Sequence, residues 1–221
     1  MGTRIEFTRP DGDKAPGYLA EFAPGAPGVV VIQEWWGLSP QILSVADRLK
    51  EAGYTVLAPD LYRGYLAETA EDASAKMNRL DWSDATNQDI RGAVQFLETQ
   101  DSKVAVLGFC MGGALTLAAG VHVPEVDAVV CFYGIPPEQL ADSRQIKVPV
   151  LGHFATHDDW VTPAKVVALE ADLKVAGVEH SLHSYDANHA FFNDTRPEVY
   201  KAHLADVAWE RTLNFLQAQL T

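Results

Sequence analysis

Gly108-Phe109-Cys110-Met111-Gly112-Gly113 is the stretch whose residue types and spacing point most directly to chemistry. The apolar run Val104-Ala105-Val106-Leu107 leads into a Gly-x-Cys-x-Gly turn, and the small-residue segment from Ala114 to Ala119 follows at once. A strand that reverses into a helix within a few residues forces its middle residue into a positive-φ backbone. Glycines two positions away on either side relieve the crowding. The layout is that of a nucleophile elbow with cysteine at the reactive position. Cys110 would then sit at the positive end of a helix, where a thiolate is favoured and backbone N–H groups can hold an oxyanion. The plainer alternative is a small buried hydrophobe, the common role of a free cysteine.

For acyl transfer such a thiol needs a base to take its proton and a carboxylate to orient that base. Of seven histidines, His189 is best placed, in the polar loop Asp186-Ala187-Asn188-His189-Ala190-Phe191 after the last expected strand. In an open α/β sheet, loops at the carboxyl ends of strands surround one crevice. A solvent-facing loop histidine is the alternative. His180 and His183 fall on a strand pattern, His203 on the terminal helix, and His122 at the far end of the elbow helix. The carboxylate is expected between His153 and Val161, where either Asp158 or Asp159 could reach His189. That chain order, nucleophile then acid then base, is the one found in α/β-hydrolases. His153, His157, Asp158 and Asp159 also invite a metal reading, but the two histidines share a face only on a helix, and this segment reads as strand and loop. No metal or organic cofactor is expected.

A further carboxylate, in Gln33-Glu34-Trp35-Trp36-Gly37, ends a strand at the same sheet edge. There a carboxylate is costly unless paired. The N–H of Trp35 could join that of Met111 as an oxyanion donor; alternatively, Glu34 caps the helix that begins near Pro40. Trp35, Trp36, Phe132, Tyr133, Trp160 and Phe191 would line an aromatic pocket, although each singly could belong to the core.

The elements that must position these groups alternate along the chain. Strands are expected at Arg4–Thr8, Tyr18–Phe22, Gly28–Gln33, Thr55–Ala58, Val104–Phe109, Ala128–Tyr133, Val148–Phe154 and His180–Tyr185. Helices are expected at Ser39–Ala52 with serine as cap, Ala67–Leu80, Asp84–Gln100, Pro163–Ala176 and Pro197–Gln219. This predicts an α/β fold, a mostly parallel central sheet with helices on both faces, in one domain over residues 1–221. Continuous apolar strands fit burial on both faces.

The chain has 17 basic and 30 acidic residues among 221, a net charge of −13. With no basic stripe to neutralise phosphates, a nucleic-acid partner is not expected, nor is an anionic membrane surface. The uncharged stretch Val104–Pro124 is long enough for a membrane span, but Gly108, Gly112, Gly113 and Gly120 interrupt it. No charged-then-apolar leader opens the chain, and Cys110 and Cys131 read as free thiols. A cytoplasmic monomer acting on a small molecule is the expectation.

Taken in order, Gln33-Glu34-Trp35-Trp36-Gly37, Pro59-Asp60-Leu61-Tyr62, Gly108 to Gly113, Phe132-Tyr133-Gly134, Asp158 with Trp160-Val161, and His189-Ala190-Phe191 resemble the dienelactone hydrolase (carboxymethylenebutenolidase-like) family of the α/β-hydrolase fold over nearly the full length. The resemblance implies a hydrolase of lactone or carboxylic ester bonds with Cys110 as nucleophile, His189 as base and Asp158 as the orienting acid. It implies that Glu34 contacts the resting thiol and is displaced by substrate, that Trp35 and Met111 supply the oxyanion hole, and that Tyr133 lies near the pocket. The family's substrate-carboxylate arginines are not matched. Asn193 stands at one position, Glu71, Lys76 or Arg79 near the other, and Arg196 is a possible substitute. Planar bidentate capture of a carboxylate is specific to arginine. The alternatives are therefore an esterase or thioesterase acting on another substrate, a non-catalytic ligand-binding homologue, and a redox-sensing thiol.

Overall fold

The computed structural model describes residues 1–98 and 102–221. Among these, the strands β1 (Thr3–Thr8), β2 (Lys14–Ala20), β3 (Gly28–Ile32), β4 (Thr55–Pro59), β5 (Val104–Phe109), β6 (Ala128–Phe132), β7 (Val150–His157) and β8 (His180–Asn188) form one sheet. Its order is β1-β2-β4-β3-β5-β6-β7-β8. β1 and β2 run antiparallel at one end, and every pairing from β4 to β8 is parallel.

The helices are α1 (Pro40–Glu51), α2 (Ala70–Arg79), α3 (Trp82–Asp84), α4 (Arg91–Leu97), α5 (Met111–His122), α6 (Pro163–Ala176) and α7 (Ala202–Leu220). Alternation along the central strands divides the core. Val29, Val31, Leu107 and Phe109 face α1 and α7, while Val30, Ile32, Val104 and Val106 face α4, α5 and α6. β3 and β5 are buried at every residue, so their unbroken apolar sequence reflects cover on both sides. This is the three-layer α/β architecture expected.

Several boundaries differ from the sequence reading, each for a local reason. β2 begins at Lys14, because Lys14 pairs with Thr8 and the ladder continues through Pro16 and Gly17, which break the sequence pattern. The Ser39 side chain makes no cap bond to α1. The helix expected from Asp84 starts earlier, at Trp82, with the Asp81 carboxylate accepting from the Asp84 N–H, and it widens into a π-helical turn over Ala85–Ile90. Its expected end at Gln100 lies outside the described residues. β7 runs on to His157 and β8 to Asn188 across an irregularity at Ala155/His157. The terminal helix starts at Ala202, not Pro197, because the Val199 and Tyr200 N–H groups close a turn on the Arg196 carbonyl.

A polar chain, buried from Tyr185 inward, ties β7, β8 and α7 together. Arg211 Nη1 donates to the Tyr185 hydroxyl at 3.1 Å, which leaves that O–H to donate to His153 Nδ1 at 2.8 Å. His153 therefore carries its proton on Nε2 and donates to Thr212 Oγ1 at 3.1 Å, and Thr212 donates to the Ala208 carbonyl at 2.9 Å. Burial, together with the nearby His183 and Arg211, holds His153 well below the usual histidine range. The unfolded chain thus takes up a proton near pH 6.5 that the folded chain refuses. Unfolding free energy is expected to decline as pH drops below about 6.5, by up to ~1.4 kcal/mol per pH unit from this group. Denaturant unfolding at pH 7 and pH 5 measures this; a flat response would show that His153 protonates without loss of packing.

Candidate functional site

Four segments meet where the parallel strands end. β5 delivers Cys110, whose φ of 56° and ψ of −117° place it in the strained turn before α5. Backbone packing explains why glycine flanks it. A Cβ on Gly112 would stand 2.5 Å from the Gln33 carbonyl oxygen and 2.6 Å from that of Ile32, and one on Gly108 would collide with the Gly112 carbonyl. The elbow is thus wedged against the end of β3. Met111 is the first residue of α5, so its N–H has no intrahelical acceptor. Its sulfur accepts a hydrogen bond from the Tyr62 hydroxyl at 3.5 Å.

Beyond β7, Asp158 folds its carboxylate back onto its own turn. Oδ1 accepts from the N–H groups of Trp160 at 2.8 Å and Val161 at 2.9 Å. Oδ2 is left to accept from His189 Nδ1 at 2.6 Å. Asp158 is buried and Asp159 exposed, so the turn itself selects between the two aspartates. A carboxylate only accepts, so Nδ1 carries a proton toward Asp158, and Nε2 is the nitrogen left to exchange one. That Nε2 is buried and makes no hydrogen bond, and Cys110 lines the same cavity. Burial opposes charging of His189, but Asp158 and the Cys110 sulfur outweigh it and push the imidazolium up to about 10. Burial likewise opposes the Asp158 charge, yet His189 and the two backbone N–H groups hold that carboxyl below its usual range.

Glu34, beyond β3, is buried. Its oxygens accept from Tyr133 Oη at 3.3 Å and Asn193 Nδ2 at 2.7 Å, so it bonds to these groups and not to the thiol, and it does not cap α1. Burial raises its proton affinity, while Asn193, His189 and Tyr133 pull the other way. The Asn193 amide has no freedom to flip. Its Oδ1 accepts from both the N–H and the hydroxyl of Thr195, at 3.0 Å and 2.6 Å, which turns the NH₂ toward Glu34. This clamp was not legible as such: an asparagine in a polar loop carries no signal of its partner 159 positions away.

A cavity of about 330 Å³ opens over these groups. Cys110, Glu34, Trp35, Trp36, Asp158, Trp160, His189 and Arg196 are among its walls. Three expected pocket residues are absent from it, and the first, Phe132, is wholly buried against Phe109. Phe191 and Tyr133 have no exposed surface; Phe191 packs between Tyr133 and Tyr185, and Tyr133 supports Glu34 from behind. Arg196 is the cavity's one lysine or arginine among the described residues; it lies over Trp36 and pairs with Glu198 at 2.8 Å. Lys76 sits instead over the Tyr65 ring. Both ring nitrogens of His153 are engaged by Tyr185 and Thr212, His157 pairs with Asp186, and no group of three or more His, Cys, Asp or Glu among the described residues could hold an ion. No helix among these residues is long and apolar enough to cross a membrane.

Residues 16–220 match the profile of the dienelactone hydrolase family. The chain belongs to that family. A relative from Aquifex pyrophilus, Protein usf, is 37% identical over the whole of both chains. Another, from Aquifex aeolicus, is 33% identical over both full lengths and has carboxymethylenebutenolidase in its name. Among solved structures, a dienelactone hydrolase-like promiscuous phosphotriesterase from metagenomic libraries superposes with a TM-score of 0.86 at 24% identity, covering 100% of this chain and 99% of that one. An esterase of Pyrococcus furiosus gives 0.73 at 17% identity, covering 100% of this chain and 94% of that one. Both share the α/β-hydrolase fold. As a member of the dienelactone hydrolase family the protein is a carboxylic ester hydrolase.

Proposed function

We propose that the protein hydrolyses small esters and lactones through a Cys110–His189–Asp158 triad. The observation that carries this reading is the 2.6 Å bond from the Asp158 carboxylate to Nδ1 of His189, which leaves a buried Nε2 in the cavity that the strained Cys110 also lines. His189 holds the thiol proton as imidazolium, and the Cys110 sulfur attacks the carbonyl carbon. The oxyanion is held by the backbone N–H groups of Met111 and Trp35. The C–O bond breaks, the imidazolium gives its proton to the departing oxygen, and a thioester remains on Cys110. Water, deprotonated by the same imidazole, then cleaves the thioester and regenerates the thiol.

The walls favour a neutral substrate over a carboxylate-bearing dienelactone. Asn193 occupies an arginine position of the family and is spent on Glu34, and Arg196 is already paired with Glu198. Incubation with an activated aryl ester, acid quench and intact-mass measurement is expected to show one acyl group, mapped by peptide digestion to Cys110. Turnover with the acyl group on another residue, or none at any quench time, would exclude the thioester route.

A further inference from the structure

A second cavity, about 660 Å³ and twice the volume of the first, does not lie over Cys110. It is a groove between the segment after β6 and α6, and Trp160 forms a wall of both. We propose that this groove binds the leaving-alcohol arm of the substrate, and that the arm is an uncharged alkyl or aryl chain; the inference rests on the triad reading above. The imidazole that protonates the departing oxygen fixes where that side of the ester must lie. The Trp160 ring is 5.6 Å from that imidazole and 5.0 Å from the Trp35 ring, centroid to centroid. An arm on the departing oxygen therefore starts at His189, meets Trp160 first, and has the groove beyond it, whereas the acyl arm starts on the sulfur side.

The chemistry of the walls sets the class of ligand. Pro136, Ala141, Val161 and Leu169 give the groove a buried apolar lining. At the rim Arg144 binds Asp142 at 2.8 Å and Glu138 at 3.3 Å, Lys165 Nζ donates to the Trp160 carbonyl at 2.7 Å, and Asp172 adds one more carboxylate. The small cavity over Cys110 holds the reacting ester, and the larger groove takes length.

The test compares two ester series: acetates of alcohols from methyl to hexyl, and methyl esters of acids of matching length. In the alcohol series kcat/KM is expected to rise about twofold per methylene, as for partial burial of each group, giving a hexyl-over-methyl ratio of roughly thirty. The acyl series is expected to change less than threefold. Ala168→Trp, at an exposed α6 position that lines the groove, is expected to bring the hexyl-over-methyl ratio close to one. If that variant is inactive, Ala168→Leu, a smaller filling, is expected to cut the ratio at least threefold. A rise along the acyl series with a flat alcohol series, or an unchanged ratio in the filled variants, overturns the subsite while leaving the triad standing. Wild-type protein that turns over no ester in either series overturns the triad reading, and the subsite with it.

Discussion

Cys110→Ala is expected to lower kcat/KM for activated aryl esters by about 10⁴ or more, the scale on which removal of a nucleophile acts. No second thiol stands ready to replace it. The other cysteine, Cys131, has no exposed surface, donates its thiol proton to the Gly134 carbonyl at 2.8 Å, and is pushed up to about 12 by burial. Alanine adds no bulk at the elbow, so thermal unfolding should stay within a few degrees of wild type. That separates loss of chemistry from loss of fold. Activity within tenfold of wild type in steady-state assays would remove the sulfur from the mechanism.

Asp158→Asn is expected to reduce kcat by about 10³–10⁴ with little change in KM. The exchange is close to isosteric. Oδ1 can still accept from Trp160 and Val161, so the turn survives. The NH₂ that replaces Oδ2, however, donates toward His189 Nδ1. That drives the imidazole proton to Nε2, where it faces the thiol and blocks proton acceptance. Asp158→Ala should additionally unseat the turn, visible as a lower unfolding temperature that the asparagine variant does not show. Equal kcat in wild type and the asparagine variant would separate this carboxylate from the reaction. The ion pair also sets a stability trend opposite to that of His153. Because His189 is raised to about 10, its contribution is complete below its unfolded value near 6.5 and is lost as pH climbs toward 10.

The sheet and the elbow were legible because their causes are local. Val104 to Gly113 encodes strand, strained turn and helix in ten consecutive positions, and β3 announces its two-sided burial in five. The choice of Asp158 over Asp159 came from resemblance, and the structure supplies a reason in the Asx-type turn to Trp160 and Val161. What sequence could not convey was which side of a ring or carboxylate faces the cavity. Phe191 and Tyr133 belong to aromatic-rich loops next to the site, yet they pack inward because Phe132, His189 and Tyr185 offer them ring contacts there. Glu34 was read as a thiol partner, but its nearest donors come from a loop reached only through the tertiary fold.

One further property follows from the run of eight residues that starts at His189. It carries the proposed base at its first position, the amide that grips Glu34 at its fifth, and the cavity's lone arginine at its eighth. Swapping Asn193 alone for arginine would strand the two Thr195 donors that now fix the amide. Anyone retargeting this enzyme must therefore transplant residues 189–196 as a single cassette, since three separate duties share one short piece of backbone and cannot be re-engineered piecemeal.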